Sequence, residues 1–335
     1  MKIVITDDRF GHNEEEKRIF PDAELVVADC RTEESLIQAC AGAEGILLNQ
    51  APMTARVIKT LDKCRVISRY GIGYDNVDLK AAEEGGIWVT NVPGYCTEEV
   101  AEHALGLLLS CVRAIPEKDR NIRSGEWNIN RSIRRMSGRV LGIAGFGATG
   151  RAFWEKIQGF SFSRILVADP GGETKLAALR GKNRREHSGR LFDITNLVSF
   201  DELLHRSDFI SLHVPLNEGT RHFINRKSLA AMKDGSILIN TSRGAVIDED
   251  ALVDALKSGC IAAAGLDVFE REPLPPDHPF LTISNVVLTD HSAYYSAEAV
   301  SELKTRTALN ALEVLEGRVP QSAVNRVFRQ SYSQR

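Results

Sequence analysis

The chain has 335 residues, of which 43% are hydrophobic and 26% are charged, a composition typical of a globular protein. A formal net charge of −3 argues against binding to nucleic acid or to anionic membranes, and no apolar run is long enough to cross a bilayer. The length is too great for one hydrophobic core of ordinary size, so two domains are expected.

The amino terminus, MKIVITDDRF, begins directly as a strand and lacks the features of a signal peptide, which predicts a cytoplasmic protein. The six cysteines are scattered, without a CxxC pair or a nearby histidine cluster. This spacing argues against a disulfide framework and against a zinc site, so we expect no bound metal.

Short β-rich runs alternate with helical patterns over the first hundred residues, from KIVIT near the start to IWVTNV at 87–92. The alternation predicts an open parallel α/β sheet. Thr32 is the expected cap of the helix TEESLIQACAG, although Ser35 stands where a full capping box has Glu or Gln.

A long helical pattern follows from about Glu98 to Gly125, with a kink expected at Pro116. It leads to the strand RVLGIAGFG at 139–147. The alternation of strands and helices restarts there, which predicts a second α/β unit in series with the first.

The second unit continues to SNVVLTD at 284–290, and the last pattern, at 296–317, is an amphipathic helix with Gly317 as its stop signal. Only residues 318–335 follow that helix, so no appended regulatory domain is expected. The final residues, RQSYSQR, are expected to be frayed.

A glycine motif marks the start of the second unit. The strand VLGIA runs directly into Gly145, Gly147 and Gly150, spaced as GxGxxG, and a helical pattern follows at once. The first glycine of such a motif permits a tight turn, the second lets the backbone approach a pyrophosphate, and the third allows the helix to pack closely on the strand. The helix amino terminus adds free N–H groups, so the motif predicts a dinucleotide site.

The acidic residue that such a site requires stands at the end of the next strand. Asp169 closes RILVADP about 20 residues after Gly150, where a carboxylate binds the adenine ribose hydroxyls. Its charge would repel a 2′-phosphate, so NAD is favoured over NADP. The basic run KLAALRGKNRREHSGR at 175–190 is expected to be a solvated loop, and an arginine folding back from it is the alternative that would favour NADP.

Three charged residues lie at or just beyond predicted strand ends in the second unit: Arg243, Glu272 and His291. Open α/β sheets bind ligands at that edge. Reduction of a 2-oxo acid needs a bidentate cation for the substrate carboxylate and a proton donor for the carbonyl oxygen, which Arg and His supply. A glutamate hydrogen-bonded to the second ring nitrogen would favour the imidazolium and orient the ring.

These residues and seven motifs in order resemble the D-isomer-specific 2-hydroxyacid dehydrogenases, a family that includes phosphoglycerate dehydrogenases and glyoxylate or hydroxypyruvate reductases. The resemblance covers nearly the whole chain. The motifs are RYGIGYDNVDL at 69–79, NVPGYCTEEVAEHAL at 91–105, GIAGFGATG at 142–150, HVPLNEGTRHFIN at 213–225, INTSRGAVIDEDAL at 239–252, GLDVFEREP at 265–273 and HSAYYS at 291–296.

The resemblance implies an α/β fold of two Rossmann-like domains, in which a nucleotide-binding, doubly wound parallel sheet is inserted into a flavodoxin-like substrate domain. The expected substrate domain is residues 1–104 and 292–335, and the expected NAD-binding domain is residues 105–291. The family usually dimerises through its nucleotide domains, so a homodimer is expected, with Trp127 as a candidate for a residue acting across the interface.

The resemblance also assigns roles to individual residues. Arg243 would bind the substrate carboxylate and carbonyl oxygen, His291 would be the acid/base, and Glu272 its partner. The backbone N–H groups of Ile72 and Gly73 would hold the carboxylate as well. The implied cofactor contacts, beyond the three glycines and the catalytic pair Arg243 and His291, are Ala148, Thr149, Asp169, Val214, Thr241, Ser242 and Asp267.

Two other functions share this architecture. The C-terminal-binding branch of the family uses it as a dinucleotide-sensing corepressor. The residues of the motifs HSAYYS and YCTEEVAEHAL resemble that branch. Formate dehydrogenases share it too, but formate oxidation releases no hydroxyl proton and does not need Glu272. The intact trio of Arg243, Glu272 and His291 favours an enzyme that interconverts a D-2-hydroxy acid and its 2-oxo acid.

The chain departs from the family at two places. Asp290 stands where the family usually has Pro, and we expect its side chain to face solvent because adjacent strand residues point in opposite directions. The segment 171–195 is longer than the usual link between strands and is expected to form a flap near the adenosine end.

The substrate stays open at this stage. Candidates for shaping the pocket are Tyr70, Tyr95, Cys96, Tyr294 and Tyr295, and candidates for accepting a phosphate are Arg69, Arg113 and Arg134.

Overall fold

The computed structural model describes residues 1–127, 133–182 and 193–327. The chain divides into two compact units, the first made of Met1–Tyr95 and Tyr295–Arg335, the second of Cys96–Tyr294. The boundary expected between residues 104 and 105 instead falls inside a helix, Thr97–Arg113, whose neighbours are strands and a helix of the second unit. The whole helix therefore belongs to the second unit, and the division lies at its amino-terminal end.

The strands of the described chain are, in order, β1 Lys2–Ile5, β2 Glu24–Val27, β3 Gly45–Leu48, β4 Val66–Arg69, β5 Trp88–Thr90, β6 Val140–Ala144, β7 Arg164–Ala168, β8 Thr195–Leu197, β9 Phe209–Leu212, β10 Ser236–Asn240, β11 Ile261–Leu266 and β12 Val286–Leu288.

The α-helices of the same residues are α1 Glu14–Ile19, α2 Glu33–Ala39, α3 Ala55–Ile58, α4 Leu79–Glu84, α5 Thr97–Arg113, α6 Ile115–Arg123, α7 Ala148–Lys156, α8 Gly172–Lys182, α9 Phe200–Arg206, α10 Arg226–Ala231, α11 Glu249–Ser258 and α12 Ala297–Leu315. Short 3₁₀ helices span Ile157–Gly159, Gly244–Val246 and Pro279–Thr282. None of the helices described is long and apolar enough to cross a membrane.

The first unit is built on a parallel sheet with the strand order β2-β1-β3-β4-β5. This is the flavodoxin-like order that the resemblance implied. All four residues of β3 are buried, as a central parallel strand covered on both faces requires. Helix α12 packs on β3, β4 and β5, so residues from both ends of the chain build the first unit.

The second unit is built on a larger parallel sheet with the strand order β12-β11-β10-β9-β6-β7-β8. The chain moves outward from β6 to β8, then returns to the other side of β6 and moves outward again from β9 to β12. The order reverses between β6 and β9, and open α/β sheets bind ligands beyond the carboxyl ends of the strands at such a point. The expected doubly wound sheet is therefore confirmed.

Alternating residues of these strands face two separate cores. Ile143, Val167 and Ile239 pack with Phe153 and Trp154 of α7 on one face. The opposite face carries side chains of β6, β9, β10 and β11 that pack against α9, α10 and α11. Helices thus cover both faces of the sheet, and its functional edge is left for the loops that follow the strands.

Thr32 caps α2 as predicted, but two details of the helix ends differ from the prediction. Ser35 completes a capping box at α2, because the Thr32 oxygen accepts from the Ser35 N–H while the Ser35 hydroxyl accepts from the Thr32 N–H. The long pattern expected to kink at Pro116 is two helices, since α5 ends at Arg113 and Ala114 adopts φ 50°. Proline is tolerated in the first turn of a helix, and Pro116 lies in the first turn of α6.

The segment 171–195 begins as a helix rather than as a loop. Helix α8 occupies Gly172–Lys182, directly after the strand that ends before Asp169. The remainder of the basic run, from residue 183 to 192, and the last eight residues, which include the tail expected to be frayed, lie outside the described residues.

Candidate functional site

The glycine turn joins β6 to α7 at the point where the strand order reverses. Gly145 has φ +89°, and a Cβ there would lie 2.4 Å from the backbone oxygen of His213, just beyond β9. A Cβ on Gly150 would lie 2.3 Å from the backbone oxygen of Gly145. Both positions therefore require glycine, because a Cβ atom would clash with a neighbouring backbone oxygen.

Gly147 differs from these two glycines. It caps the amino terminus of α7, and no atom lies within 4 Å of the position that its Cβ would occupy. The open face above a nine-residue helix offers free N–H groups and a positive dipole end, as a pyrophosphate needs. Ala148 and Thr149 lie in the first turn of the same helix, and Val214 follows β9 beside Gly145.

Asp169 follows β7 next to this turn. One of its carboxylate oxygens accepts from the Phe146 N–H at 2.7 Å and the other from the Gly171 N–H at 2.7 Å. The Lys175 ammonium lies 2.7 and 2.8 Å from the two oxygens. Burial would raise the pKa of Asp169, but the lysine and the two N–H groups outweigh it and hold the pKa below its ordinary value.

Thr241 and Ser242 follow β10 at the same edge of the sheet. The Thr241 hydroxyl is buried and has no hydrogen-bond partner among the residues the structure describes. A buried hydroxyl without a partner costs free energy unless a ligand completes it. A polar cofactor group at this edge would do so, which fits the cofactor contact implied for Thr241.

His291 and Glu272 form a direct pair. The Nδ1 atom of His291 lies 2.6 Å from Oε2 of Glu272, while Oε1 of the carboxylate accepts from the Phe269 N–H at 2.9 Å. Burial would raise the pKa of Glu272, but His291, the Phe269 N–H and the charge of Arg243 together lower it. The carboxylate is therefore ionised in the neutral range and can only accept, so Nδ1 of His291 carries a proton.

The backbone of His291 is held in an uncommon conformation, with φ 56°. Its N–H donates to the backbone oxygen of Asp267 at 2.8 Å. The Asp267 carboxylate, fully buried, accepts from the Thr289 hydroxyl at 2.6 Å and from the N–H groups of Ser292 and Ala293 at 3.0 Å. Asp267 thus fixes the turn that presents His291, a positioning role that the sequence did not reveal.

Arg243 lies in the segment between β10 and α11. The side-chain amide of Asn240 donates to the Arg243 backbone oxygen at 2.9 Å, and the Asn240 amide oxygen accepts from the N–H and hydroxyl of Ser242. The Arg243 guanidinium itself donates to the Ser242 backbone oxygen at 2.8 Å. The side chain of Asn240, at the end of β10, therefore stabilises the turn that carries Arg243.

Gly244, to which no role was assigned from the sequence, lies where the Arg243 and Glu272 segments touch. A Cβ at this position would lie 1.8 Å from the backbone carbon of Phe269 and 2.3 Å from the Glu270 nitrogen. Only glycine permits this contact between the two chain segments. Because the Phe269 N–H also holds the Glu272 carboxylate, the contact ties the arginine turn to the histidine pair.

Asp290 is exposed as expected, but it lies beyond the end of β12, so strand alternation is not the reason. The three charged residues, the glycine turn and Asp169 all follow carboxyl ends of the same seven-stranded sheet, so the second unit collects them at one edge. Within the described residues, no group of three or more His, Cys, Asp or Glu side chains is arranged to hold a metal ion.

Ile72 and Gly73 belong to the first unit, in the loop after β4. The side-chain amide of Asn91 donates to the Ile72 backbone oxygen at 2.7 Å, and the Val92 N–H donates to the Gly71 oxygen at 2.9 Å. The loop is therefore braced from β5, and the Ile72 side chain itself is exposed.

A buried network lies under the start of this loop. The Tyr70 hydroxyl donates to Glu16 at 2.7 Å, so it is committed within the core and does not read a substrate. Lys304 of α12 is fully buried and pairs with Glu15 at 3.2 Å and Glu16 at 3.5 Å. The amphipathic pattern of α12 did not reveal this lysine, because charged residues are almost never fully buried unless paired.

Comparisons with known proteins agree with this geometry. Residues 105–293 match the family model of the D-isomer specific 2-hydroxyacid dehydrogenase, NAD binding domain. A glyoxylate reductase of Korarchaeum cryptofilum is 42% identical over 279 residues, which are 82% of this chain and 80% of the relative. A D-3-phosphoglycerate dehydrogenase of Methanocaldococcus jannaschii is 37% identical over 327 residues, 97% of this chain but only 59% of the relative.

Among solved structures, a D-lactate dehydrogenase of Aquifex aeolicus complexed with NAD and lactic acid matches with a TM-score of 0.82 and 26% identity, covering 96% of this chain and 98% of that one. The chain belongs to the D-isomer-specific 2-hydroxyacid dehydrogenases. It is an oxidoreductase of the class that acts on CH–OH donors with a nicotinamide cofactor, and the matches favour this over a corepressor-like binding module.

Proposed function

We propose that the chain reduces a short 2-oxo acid to its D-2-hydroxy acid, and catalyses the reverse, with His291 as acid/base, Glu272 as its partner and Arg243 as the carboxylate ligand. The observation that carries this assignment is the 2.6 Å pair of His291 and Glu272 at the sheet edge that also bears the glycine turn. The bound nicotinamide supplies the hydride, and the residues supply the proton and the orientation.

The proton path follows from the pairing. Since the ionised Glu272 fixes the proton on Nδ1, the other ring nitrogen of His291 is the one that exchanges a proton with the substrate oxygen. In the reducing direction His291 gives a proton to the developing alkoxide, while Glu272 bonds the opposite ring nitrogen and orients the ring.

Arg243 is the ligand we propose for the substrate carboxylate. A guanidinium presents two parallel N–H donors that match a carboxylate, and Arg243 is set beyond β10 by the Asn240 turn. Ile72 and Gly73 would add backbone N–H groups from the loop of the first unit. We accordingly propose the first unit as the substrate domain and the second, which bears the glycine turn, as the nucleotide domain.

For the substrate, we propose glyoxylate and hydroxypyruvate. Relatives named glyoxylate reductase and hydroxypyruvate reductase are 42% and 40% identical to the chain. Both acids carry the carboxylate and the neighbouring carbonyl that Arg243 and His291 would bind. For the cofactor, NAD(H) is supported by the carboxylate of Asp169 beside the glycine turn.

We also propose that the chain forms a homodimer through its second unit. Helix α6 has no buried residue, and its large apolar side chains Ile115 and Ile122 are 53% and 54% exposed. Trp127, just beyond the helix, is 90% exposed. Apolar side chains clustered along one exposed segment are typical of an interface.

The test of the catalytic assignment is a turnover assay with NADH and a panel of 2-oxo acids, following the loss of nicotinamide absorbance. His291→Ala is expected to lower kcat by about 10²-fold or more, because a positioned acid/base contributes that much. The matched control is His205→Ala, since His205 is exposed and bonds only its own helix. Equal activity in both variants would overturn the assignment of His291.

A further inference from the structure

The Asp169 carboxylate is already saturated by groups of the chain. Each of its oxygens lies within hydrogen-bond distance of one backbone N–H and of the Lys175 ammonium, at 2.7 to 2.8 Å. The Asp169 side chain is 8% exposed and that of Lys175 is 35% exposed. The lysine is therefore the more exposed member of the pair, at the carboxylate where the adenine ribose of a bound dinucleotide is expected.

The position of Lys175 is built into the fold. The Gly171 N–H bonds the Asp169 side chain and the Gly172 N–H bonds the Asp169 backbone oxygen at 3.0 Å, which starts α8 directly over the carboxylate. The Lys175 N–H then bonds the Gly171 oxygen at 3.2 Å, and the adjacent Leu176 is buried. The first turn of α8 is thus anchored on both sides of Lys175.

This arrangement changes what the carboxylate can do to a cofactor. A free aspartate accepts both ribose hydroxyls and repels a 2′-phosphate. Here the lysine cancels the charge of the aspartate and keeps one donor for a new acceptor, since an ammonium has three and two are directed at the Asp169 oxygens. A 2′-phosphate would meet an ion pair of zero net charge with one N–H donor to spare, rather than a bare anion.

We propose that Lys175 sets the cofactor selectivity of the site: it neutralises Asp169 and binds the 2′-phosphate of NADPH, so that the chain binds NADPH as well as NADH. This deepens the proposed function and rests on the glycine turn being the dinucleotide site. Removal of the lysine charge then leaves Asp169 free to exclude the phosphate, which converts the site to one that is strict for NADH.

The direct test measures the dissociation constants of NADH and NADPH for the wild-type chain and for Lys175→Met, which keeps the apolar stem and removes the charge. The ratio of the NADPH to the NADH constant is expected to rise at least about tenfold in Lys175→Met, allowing for solvent screening of a partly exposed lysine. Lys175→Arg is expected to keep the wild-type ratio within about threefold, because the charge is retained.

Lys156→Met is the matched control. Lys156 also pairs with two carboxylates, Glu98 at 2.7 Å and Glu102 at 3.0 Å, but it lies in the last turn of α7, away from the helix amino terminus. Its loss should leave the ratio unchanged. A ratio that is the same in Lys175→Met and in the wild type would overturn the proposal, as would an equal rise in the Lys156 control.

A second measurement isolates the phosphate. The two probes are 2′,5′-ADP and 5′-AMP, which differ only in the 2′-phosphate and carry no nicotinamide. Binding of 2′,5′-ADP should weaken more steeply with added salt than that of 5′-AMP in the wild type, and Lys175→Met should remove most of that difference. If the difference persists in Lys175→Met, another cation binds the phosphate and the proposal fails.

These results separate this proposal from the proposed function. If NADH binds and supports turnover but the ratio does not respond to Lys175, only the role of Lys175 is wrong. If neither dinucleotide binds the wild-type chain, the dinucleotide site itself is wrong and both proposals fall.

Discussion

The behaviour of His291 depends on one neighbouring carboxylate. Glu272 accepts from the imidazole and from the Phe269 N–H, and its pKa lies below the ordinary value of 4.5. A carboxyl with a depressed pKa is ionised throughout the neutral range and is protonated only as the pH falls through that lowered value. The carboxylate of the pair is therefore charged throughout the neutral range, and its charge is lost only in acid.

Glu272→Gln should lower kcat for 2-oxo acid reduction by about 10²-fold, because the glutamine cannot stabilise the imidazolium that donates the proton. KM for the acid should change little, because Arg243 still binds the carboxylate. Steady-state kinetics at neutral pH measure both quantities.

The control is Glu270→Gln, since Glu270 also pairs with a histidine, His222, at 2.8 Å but near the surface. A Glu272→Gln enzyme with the wild-type kcat would show that the carboxylate only fills space.

Sequence reasoning selected the charged residues but not the groups that hold them. Arg243, Glu272 and His291 were selected because their functional groups suit the chemistry and because predicted strand ends converge at one edge. Asp267 was expected to contact the cofactor, but its buried carboxylate also binds the turn that carries His291. That contact spans loops whose conformation depends on the positive φ of His291, and no local pattern encodes it.

At the scale of elements, two loops form the catalytic edge only because their backbones touch. The turn after β10 and the segment after β11 meet where Gly244 lies against Phe269. The Phe269 N–H in turn holds Glu272. A side chain at position 244 would separate these segments, so the glycine sets the distance between the arginine and the histidine pair.

Gly244→Ala should therefore displace the Phe269 backbone and reduce kcat by about 10²-fold, because misplacing catalytic groups by about 1 Å has that effect. We expect it to destabilise the chain by about 1–3 kcal/mol through overpacking. Urea unfolding and kinetics on the same preparation check both quantities.

Gly259→Ala is the comparison, since Gly259 has φ +79° but open space around it. That variant should lose stability through backbone strain while keeping kcat. If Gly244→Ala keeps full activity, the backbone contact does not determine the site.

The order of elements could be predicted well, and their ends less well. Alternating strand and helix patterns gave both sheets, the glycine turn and the final helix. The break at Ala114 was expected at Pro116, because a proline in the first turn of a helix resembles a proline at a kink. The capping box that Ser35 completes and the helix α8 were not predicted, because composition alone does not show which hydrogen bonds close a turn.

For the whole molecule, the resemblance predicted a homodimer, but it did not show which surface would form the interface. The exposure of the α6 isoleucines became visible only in the structure. Their spacing in the sequence, seven residues apart, is equally typical of a helix packed on its own domain.

Ile122→Glu should convert the proposed dimer to a monomer of 37.0 kDa, because it places a charge in the apolar patch. Light scattering after size exclusion measures the mass. Leu281→Glu is the control, since Leu281 is also a large exposed apolar residue of the second unit but lies outside α6. A wild-type chain that is already monomeric at micromolar concentration would contradict the dimer.

The chirality of the product is the sharpest test of the proposed D-2-hydroxyacid dehydrogenase activity. The chain should be mixed with hydroxypyruvate and excess NADH, and the glycerate formed should be separated on a chiral column, with His291→Ala in parallel. We expect D-glycerate from the wild type and little product from the variant. L-glycerate, or D-glycerate formed equally fast by His291→Ala, would contradict the proposed roles of the site.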